Sequence, residues 1–278
     1  MAEISCQYLQ IEALRQQLAH WESPVAWRQS LKDLSLEDPA SLERISALSS
    51  GCPALDRALP EKGFRPGTLV EWLSRGAGDG TATLAFRAAA EACRDRGAVV
   101  VLDRTGEFYP LAAVAQGIEP ARLIVVHPGN KADHTWALDQ ALRCPAVAAV
   151  IAWPESLDGK LDGRTFRRLQ LAVEQGGGLG LLIRPESVRS QPSWADVRLL
   201  VEPLSCTSPY GRRMRVVVLR CRGSRGEQTV EVEMSFNPEP TAMAARGVTV
   251  AVGSGLNEPT ATCPEQKLDH ETDPLHQD

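Results

Sequence analysis

The stretch Thr68-Leu-Val-Glu-Trp-Leu-Ser-Arg-Gly-Ala-Gly-Asp-Gly-Thr-Ala-Thr-Leu-Ala85 decides how this chain is read. It reads as a strand, a glycine-rich turn and a helix, which is the layout of a phosphate-binding P-loop. That motif wants a glycine, four residues, then Gly-Lys-Ser/Thr. Aligned on Gly80, the lysine position holds Thr81, the hydroxyl position holds Ala82 and the first-glycine position holds Arg75. No lysine occurs between Lys62 and Lys131. Phosphoryl chemistry needs a cation on the β- and γ-phosphates and a hydroxyl on the metal. This loop offers neither, and Asp79 adds like charge. The expectation is therefore no cofactor, with Gly76, Gly78, Gly80, Thr81 and Thr83 forming a degenerate loop. Backbone N–H groups at a helix N-terminus still suit a phosphate; the alternative is a turn needed only for folding.

Working outward, the chain has 278 residues, 43% of them hydrophobic, and a formal net charge of -5. That is the size of one large domain with extensions. The charge speaks against a general nucleic-acid binder, but it is uneven. Between Pro209 and Gly226 stand Arg212, Arg213, Arg215, Arg220, Arg222 and Arg225 with no acid among them. They are the candidates for contact with DNA phosphates or an acidic partner. The plain alternative is a solvated edge whose charges block aggregation. No apolar run reaches the roughly 20 residues of a membrane helix, and Met1 to Cys6 lacks the character of a signal peptide. Seven cysteines without a Cys-x-x-Cys pair indicate reduced thiols and a cytoplasmic protein.

Spacing of the apolar residues divides the chain. Ile4, Tyr8, Ile11, Leu14 and Leu18 predict an N-terminal helix, followed by a polar linker to residue 46. From 47 to 237 short apolar runs alternate with helical stretches. Strands are expected at Thr68–Leu73, Gly97–Asp103, Arg122–His127, Val147–Trp153, Leu179–Arg184 and Val197–Glu202. Helices are expected at Cys52–Leu59, Thr81–Arg94, Leu111–Gly117, Lys131–Arg143 and Gly163–Gln175. Such alternation implies βαβ units and a mostly parallel sheet covered on both faces. Arg213–Cys221 and Gln228–Phe236 alternate around the turn Arg222–Gly226 and predict an antiparallel hairpin at the sheet edge. Residues 238–278 read as an acidic tail without regular structure.

The order of these pieces resembles the RecA core. Ala47-Leu-Ser-Ser-Gly51, Leu55-Asp56, Leu59, Gly63, Pro66-Gly67 and Val70-Glu71 match that family's lead-in to its first strand. Asp103 followed by Pro110 resembles the segment after the second strand. Coverage runs from about residue 47 to 236. The departures carry as much weight. The Walker B acid position holds Ala152 or Trp153, and the catalytic glutamate position, two beyond Asp103, holds Thr105 with Glu107 nearby. The segments at Pro154–Gly163 and Glu186–Ser193 are short beside the DNA-binding loops of RecA, which speaks against a RecA-type filament on DNA.

Within that superfamily the chain is similar to the ImuA family, through Trp136-Ala-Leu-Asp-Gln-Ala-Leu-Arg143, Val147–Trp153, Arg168-Leu-Gln-Leu-Ala172, Gly178–Pro185 and Leu219-Arg-Cys-Arg-Gly223. The fold implied is α/β: a RecA-like, mostly parallel sheet flanked by helices with a C-terminal antiparallel β-hairpin. The role implied is a non-catalytic helper of damage-induced mutagenic translesion DNA synthesis. Its implied partners are RecA, an inactive Y-family polymerase homologue of the ImuB type and an error-prone C-family polymerase, with weak DNA contact and a homo-oligomer through the N-terminal segment as further options. The central stretch also resembles cell-division inhibitors of the SulA type, but those are shorter and lack the lead-in and hairpin. A weak, unconventional RecA-class ATPase is the remaining alternative, and the loss of lysine, Walker B acid and glutamate opposes it. No acid pair, Ser-His-Asp set or metal-ligand spacing is present: His20, His127, His134, His270 and His276 are scattered, and Cys144 and Cys221 read as inert thiols.

Overall fold

A computed structural model describes residues 47–95, 97–154, 161–205, 211–224, 226–235 and 249–252. The expected N-terminal helix, the linker up to residue 46, Tyr210, Arg225 and residues 253–278 lie outside them. The order is α1 (Pro53–Ala58), β1 (Thr68–Ser74), α2 (Thr81–Cys93), β2 (Ala98–Leu102), α3 (Pro110–Val114), β3 (Leu123–His127), α4 (Lys131–Arg143), β4 (Val147–Ala152), α5 (Gly163–Gly176), β5 (Leu179–Pro185), β6 (Val197–Leu204), β7 (Gly211–Cys221), β8 (Gln228–Ser235) and β9 (Thr249–Val252).

The strands form one nine-stranded sheet in the order β8-β7-β6-β1-β5-β4-β2-β3-β9. From β6 to β9 all neighbours are parallel. The β7–β8 hairpin joins antiparallel to β6 and closes one edge. The uninterrupted apolar runs follow from this position. Every residue of β2 and β4 is buried, because helices cover both faces and no side of a central parallel strand meets water.

The two faces hold separate cores. Val70, Trp72, Val101, Ile151, Leu181 and Leu199 point to the face covered by Leu55 of α1, Leu84 and Ala88 of α2 and Ala113 of α3. Leu69, Val100, Ile124, Val150 and Leu182 point to the face covered by Leu138 and Leu142 of α4 and Phe166, Leu169 and Val173 of α5. Helix limits follow local chemistry. The Asn130 side chain accepts the Asp133 N–H and starts α4. Asp162 does the same for α5 through Thr165, and Gly177 ends that helix in the left-handed region at φ 74°.

One charged group breaks the apolar pattern of β1. Glu71 is fully buried and is held by Arg184 of β5, with Nη1 to Oε1 at 2.5 Å, and by Arg198 of β6, with Nε to Oε2 at 2.7 Å. Arg198 also donates to the carbonyls of Val188, Arg189 and Gln191. The triad therefore bolts three adjacent strands and the 188–191 turn together.

The ninth strand corrects the reading of 238–278 as a stretch without regular structure. Thr249–Val252 pairs parallel with β3, from Ile124 opposite Thr249 to His127 opposite Val252. The signal was present, since Val248-Thr-Val-Ala-Val252 is a β-branched run between Gly247 and Gly253; which strand it pairs with is set by a partner far away along the chain.

Candidate functional site

β1 delivers the glycine-rich turn at its C-terminal end, and α2 begins at Thr81. Such a position, at the carboxyl ends of parallel strands, is where open α/β sheets place ligands. Gly76, Gly78, Gly80, Thr81 and Thr83 line a cleft of about 420 Å³ together with Trp153, Ile183, Arg184, Pro185 and Arg212.

Two N–H groups of this turn, those of Arg75 and Thr81, are taken by a carboxylate of the chain itself. Asp79 is buried. Its Oδ2 accepts from the backbone N–H of Arg75 at 2.7 Å and from Ser74 Oγ at 2.8 Å. Its Oδ1 accepts from the backbone N–H of Thr81 at 2.8 Å. Thr81 stands where the motif lysine belongs, so the N–H that a P-loop aims at phosphate is taken by a carboxylate. The anion also sits at the positive end of α2, where negative charge is favoured. Asp79, read from sequence only as added like charge, is the internal occupant. The signal was present: an aspartate just ahead of a helix start is the residue type that accepts early helical N–H groups.

Two further contacts seal the turn. Arg212 of β7 donates from Nη1 to the Gly78 carbonyl at 2.5 Å. Gly80 has φ 95°, and a Cβ there would lie 2.1 Å from Met214 Sδ, so only glycine fits beneath the hairpin. Arg75, at the first-glycine position, turns away to Glu186 at 3.0 Å and Glu202 at 2.7 Å.

At the Walker B position Ala152 is fully buried and half-buried Trp153 packs its ring 6.4 Å from Phe86. Asp103 has become a loop organiser. Its carboxylate accepts the backbone N–H groups of Gly106, Glu107 and Phe108, and its carbonyl lies 2.7 Å from His127 Nδ1. Thr105 Oγ1 lies 3.3 Å from both Asp103 and Glu107. Among the described residues no group of His, Cys, Asp and Glu is placed to hold a metal. Burial pushes the Cys52 thiol up to about 11 and raises those of Cys93 and Cys221.

The arginines of the hairpin do not form one patch. Arg212, Arg213 and Arg215 stand at the end of β7 near the glycine-rich turn. There Arg213 pairs with Glu231 at 2.9 Å, and Arg215 lies 3.6 Å from Glu202 and from Glu231. Arg220 and Arg222 stand at the other end, where Arg220 donates to the Ser193 carbonyl and Arg222 lies 3.5 Å from Asp196. The acids that answer them come from β6, β8 and the 193–196 turn, out of reach of a reading confined to 209–226. A surface aromatic escaped that reading as well. Trp194 is 48% exposed, with the Arg167 guanidinium 5.2 Å from its ring centre.

No family model matches the chain. Protein ImuA of Caulobacter vibrioides strain NA1000 / CB15N is 30% identical over 201 residues, covering 64% of this chain and 80% of that protein. The same values hold for strain ATCC 19089 / CIP 103742 / CB 15. Protein RecA of Chlorobaculum parvum is 30% identical over 118 residues, covering 42% of this chain and 34% of that protein. No helix among the described residues is long and apolar enough to cross a membrane. The shared length with ImuA, the partial match to RecA and a mostly parallel sheet carrying a glycine-rich turn agree: the chain belongs to the ImuA family of RecA-like proteins.

Proposed function

We propose that this protein is a non-catalytic accessory of damage-induced mutagenic translesion DNA synthesis in the cytoplasm. It works by contact with RecA, an inactive Y-family polymerase homologue and an error-prone C-family polymerase. One observation carries the non-catalytic part. The Asp79 carboxylate accepts from Arg75, Thr81 and Ser74, which supports a loop that holds its own anion in place of a phosphate. A bound phosphate would have to displace that carboxylate and leave it buried beside like charge, a cost of several kcal/mol with no lysine to offset it. Surface contact is the means of action this reading favours, and the likeness to ImuA and RecA supports the partners named.

Two measurements test the reading. Calorimetry with millimolar ATP and magnesium is expected to be flat and phosphate release absent; a saturable heat refutes the argument from Asp79, and phosphate release refutes the non-catalytic part. Affinity capture of the tagged protein from its own host after ultraviolet or crosslinker damage is expected to recover RecA or the translesion polymerases. Recovery of the tubulin-like division protein alone overturns the translesion reading.

A further inference from the structure

Helix α5 has two faces of opposite character. Phe166, Leu169 and Val173 go into the core. Arg164, Arg167, Arg168 and Leu171 recur at the three- and four-residue spacing that sets them on one face, and all four are exposed. An exposed leucine alone needs no explanation. Here a second large apolar side chain joins it. Trp194, from the turn before β6, lays its indole across the start of α5. Its Nε1 is 3.8 Å from where a Cβ on Gly163 would stand, and the Arg167 guanidinium lies 5.2 Å from the ring centre. The arginines, Leu171 and Trp194 line one open groove of about 800 Å³.

The tryptophan is held at the surface by anchors on both sides. The Ser193 carbonyl accepts from Arg220 Nη1 at 2.9 Å, and Ser193 Oγ accepts the Ala195 N–H at 3.1 Å. Ala195 is fully buried, and the Asp196 carboxylate accepts the Leu69 N–H at 3.1 Å. A fixed turn thus presents an exposed ring, and a ring already in place loses little freedom when something binds it. Tryptophan and arginine are the residue types that carry most of the energy at protein interfaces.

Charge selects the occupant. One carboxylate, Asp139, serves both Arg143 at 2.8 Å and Arg168 at 3.3 Å. Asp162 spends its carboxylate on the Thr165 N–H. The groove therefore keeps an excess of positive charge. The basic stretch is short: Arg164 to Leu171 spans about 10 Å of helix. Acids bound it, with Asp162 at its start, Glu174 beyond Leu171, Asp139 beside Arg168 and Asp196 two residues from Trp194. A running phosphate backbone would meet those acids on leaving the groove. A short peptide would not.

We propose that the groove between α5 and Trp194 docks a short segment of a partner protein in which acidic residues flank one large apolar side chain. The apolar side chain lies against Trp194 and Leu171. The flanking carboxylates meet Arg164 and Arg167, whose forked guanidinium groups suit them. The inference specifies the chemistry of a partner and stands whether or not the translesion reading holds.

Fluorescence anisotropy on the full chain tests it. The probes are labelled short peptides with Asp and Glu around one Leu, Phe or Trp. Matched peptides carry Gln for the acids or Ala for the apolar residue, and a dT oligonucleotide completes the set. The groove variants are Trp194→Ala and the pair Arg164→Glu/Arg167→Glu. The control is Arg57→Glu, on α1 at the opposite face of the sheet. All these residues are exposed, so each variant is expected to keep its urea midpoint. The acidic–apolar peptides are expected to bind saturably. Each matched peptide and each groove variant weakens that binding at least about tenfold, and the control leaves it unchanged. Failure of every acidic–apolar peptide to bind overturns the proposal, as does equal binding of the Gln peptides or binding that ignores both groove variants. Oligonucleotide binding in place of peptide binding, lost in Trp194→Ala, assigns the groove to nucleic acid and overturns it. A dimer by light scattering that Trp194→Ala dissolves assigns the groove to a second copy and also overturns it.

Discussion

The Thr81 N–H donates to the carboxylate of Asp79, two residues behind it, at 2.8 Å. In that hydrogen bond the chain supplies both the anion-binding loop and its anion. Asp79→Ala leaves the N–H groups of Arg75 and Thr81 and the Ser74 hydroxyl without their acceptor. Each buried donor left unmade costs about 1–3 kcal/mol where water does not replace it. Chemical denaturation is expected to show a loss of about 2–4 kcal/mol for Asp79→Ala, and a smaller loss for Asp79→Asn, which keeps one acceptor. Neither variant is expected to gain ATP binding by calorimetry, because Thr81 still stands at the lysine position.

Gly80 and Met214 form a second coupled pair. Gly80→Ala meets a left-handed φ and Met214 Sδ at 2.1 Å. The backbone alone costs about 1–2 kcal/mol. Met214→Ala opens a cavity at a fully buried site, worth about 2–5 kcal/mol. The double variant is expected to fall short of the sum by at least about 0.5 kcal/mol, because the second change makes room for the first. An additive double-mutant cycle in urea shows the contact to be unimportant.

Glu71→Gln removes the countercharge of two buried guanidinium groups, Arg184 and Arg198. Breaking a buried pair from one side costs about 3–5 kcal/mol. The urea midpoint is expected to fall accordingly with little change in slope. Replacing all three with apolar residues of similar volume is expected to recover most of the loss. A triple variant no more stable than Glu71→Gln contradicts this account.

His134 is buried in the first turn of α4, and burial, with the Arg104 charge adding to it, lowers its pKa from 6.5 to about 4. The unfolded chain takes up a proton near 6.5 and the folded chain only near 4. Below pH 6.5 the unfolded state thus binds more protons, so stability falls as pH drops through that window. Full passage is worth on the order of 3 kcal/mol. His134→Phe is expected to flatten the stability profile between pH 6.5 and 4.5, and an unchanged profile assigns the acid sensitivity elsewhere.

Elements buried on both faces were legible in the sequence, because continuous apolar runs such as Val147–Ala152 have no other stable place. The limits of α4 were legible, since the expected Lys131–Arg143 is the helix that forms. The degenerate turn was legible as a list of missing groups. Its filled state was not, because a residue list says what Asp79 is and a fold says which N–H groups it meets. Glu71 was a signal passed over: a carboxylate between Val70 and Trp72 in a central strand must find cations, and Arg198 stands opposite it on β6 while Arg184 stands two places on, opposite Leu73, on β5. The β-branched run containing β9 was a signal passed over; its partner β3 was illegible because the pairing is non-local. The split of the hairpin arginines depended on acids from other strands.

The Asp79 contacts also make the loss of the motif hard to undo by descent. Thr81→Lys alone sets an ammonium beside a carboxylate already seated at Thr81 N–H, producing an internal ion pair and no vacancy. Loss of Asp79 alone strips three donors of their acceptor before any ligand is available to replace it. Restoring Ala82 to a hydroxyl residue changes nothing while the other two stand. Each single step is neutral or harmful, so selection has no gradient to follow back. The glycine-rich turn works as a ratchet: while its own carboxylate is seated at Thr81 N–H, no single substitution restores the motif.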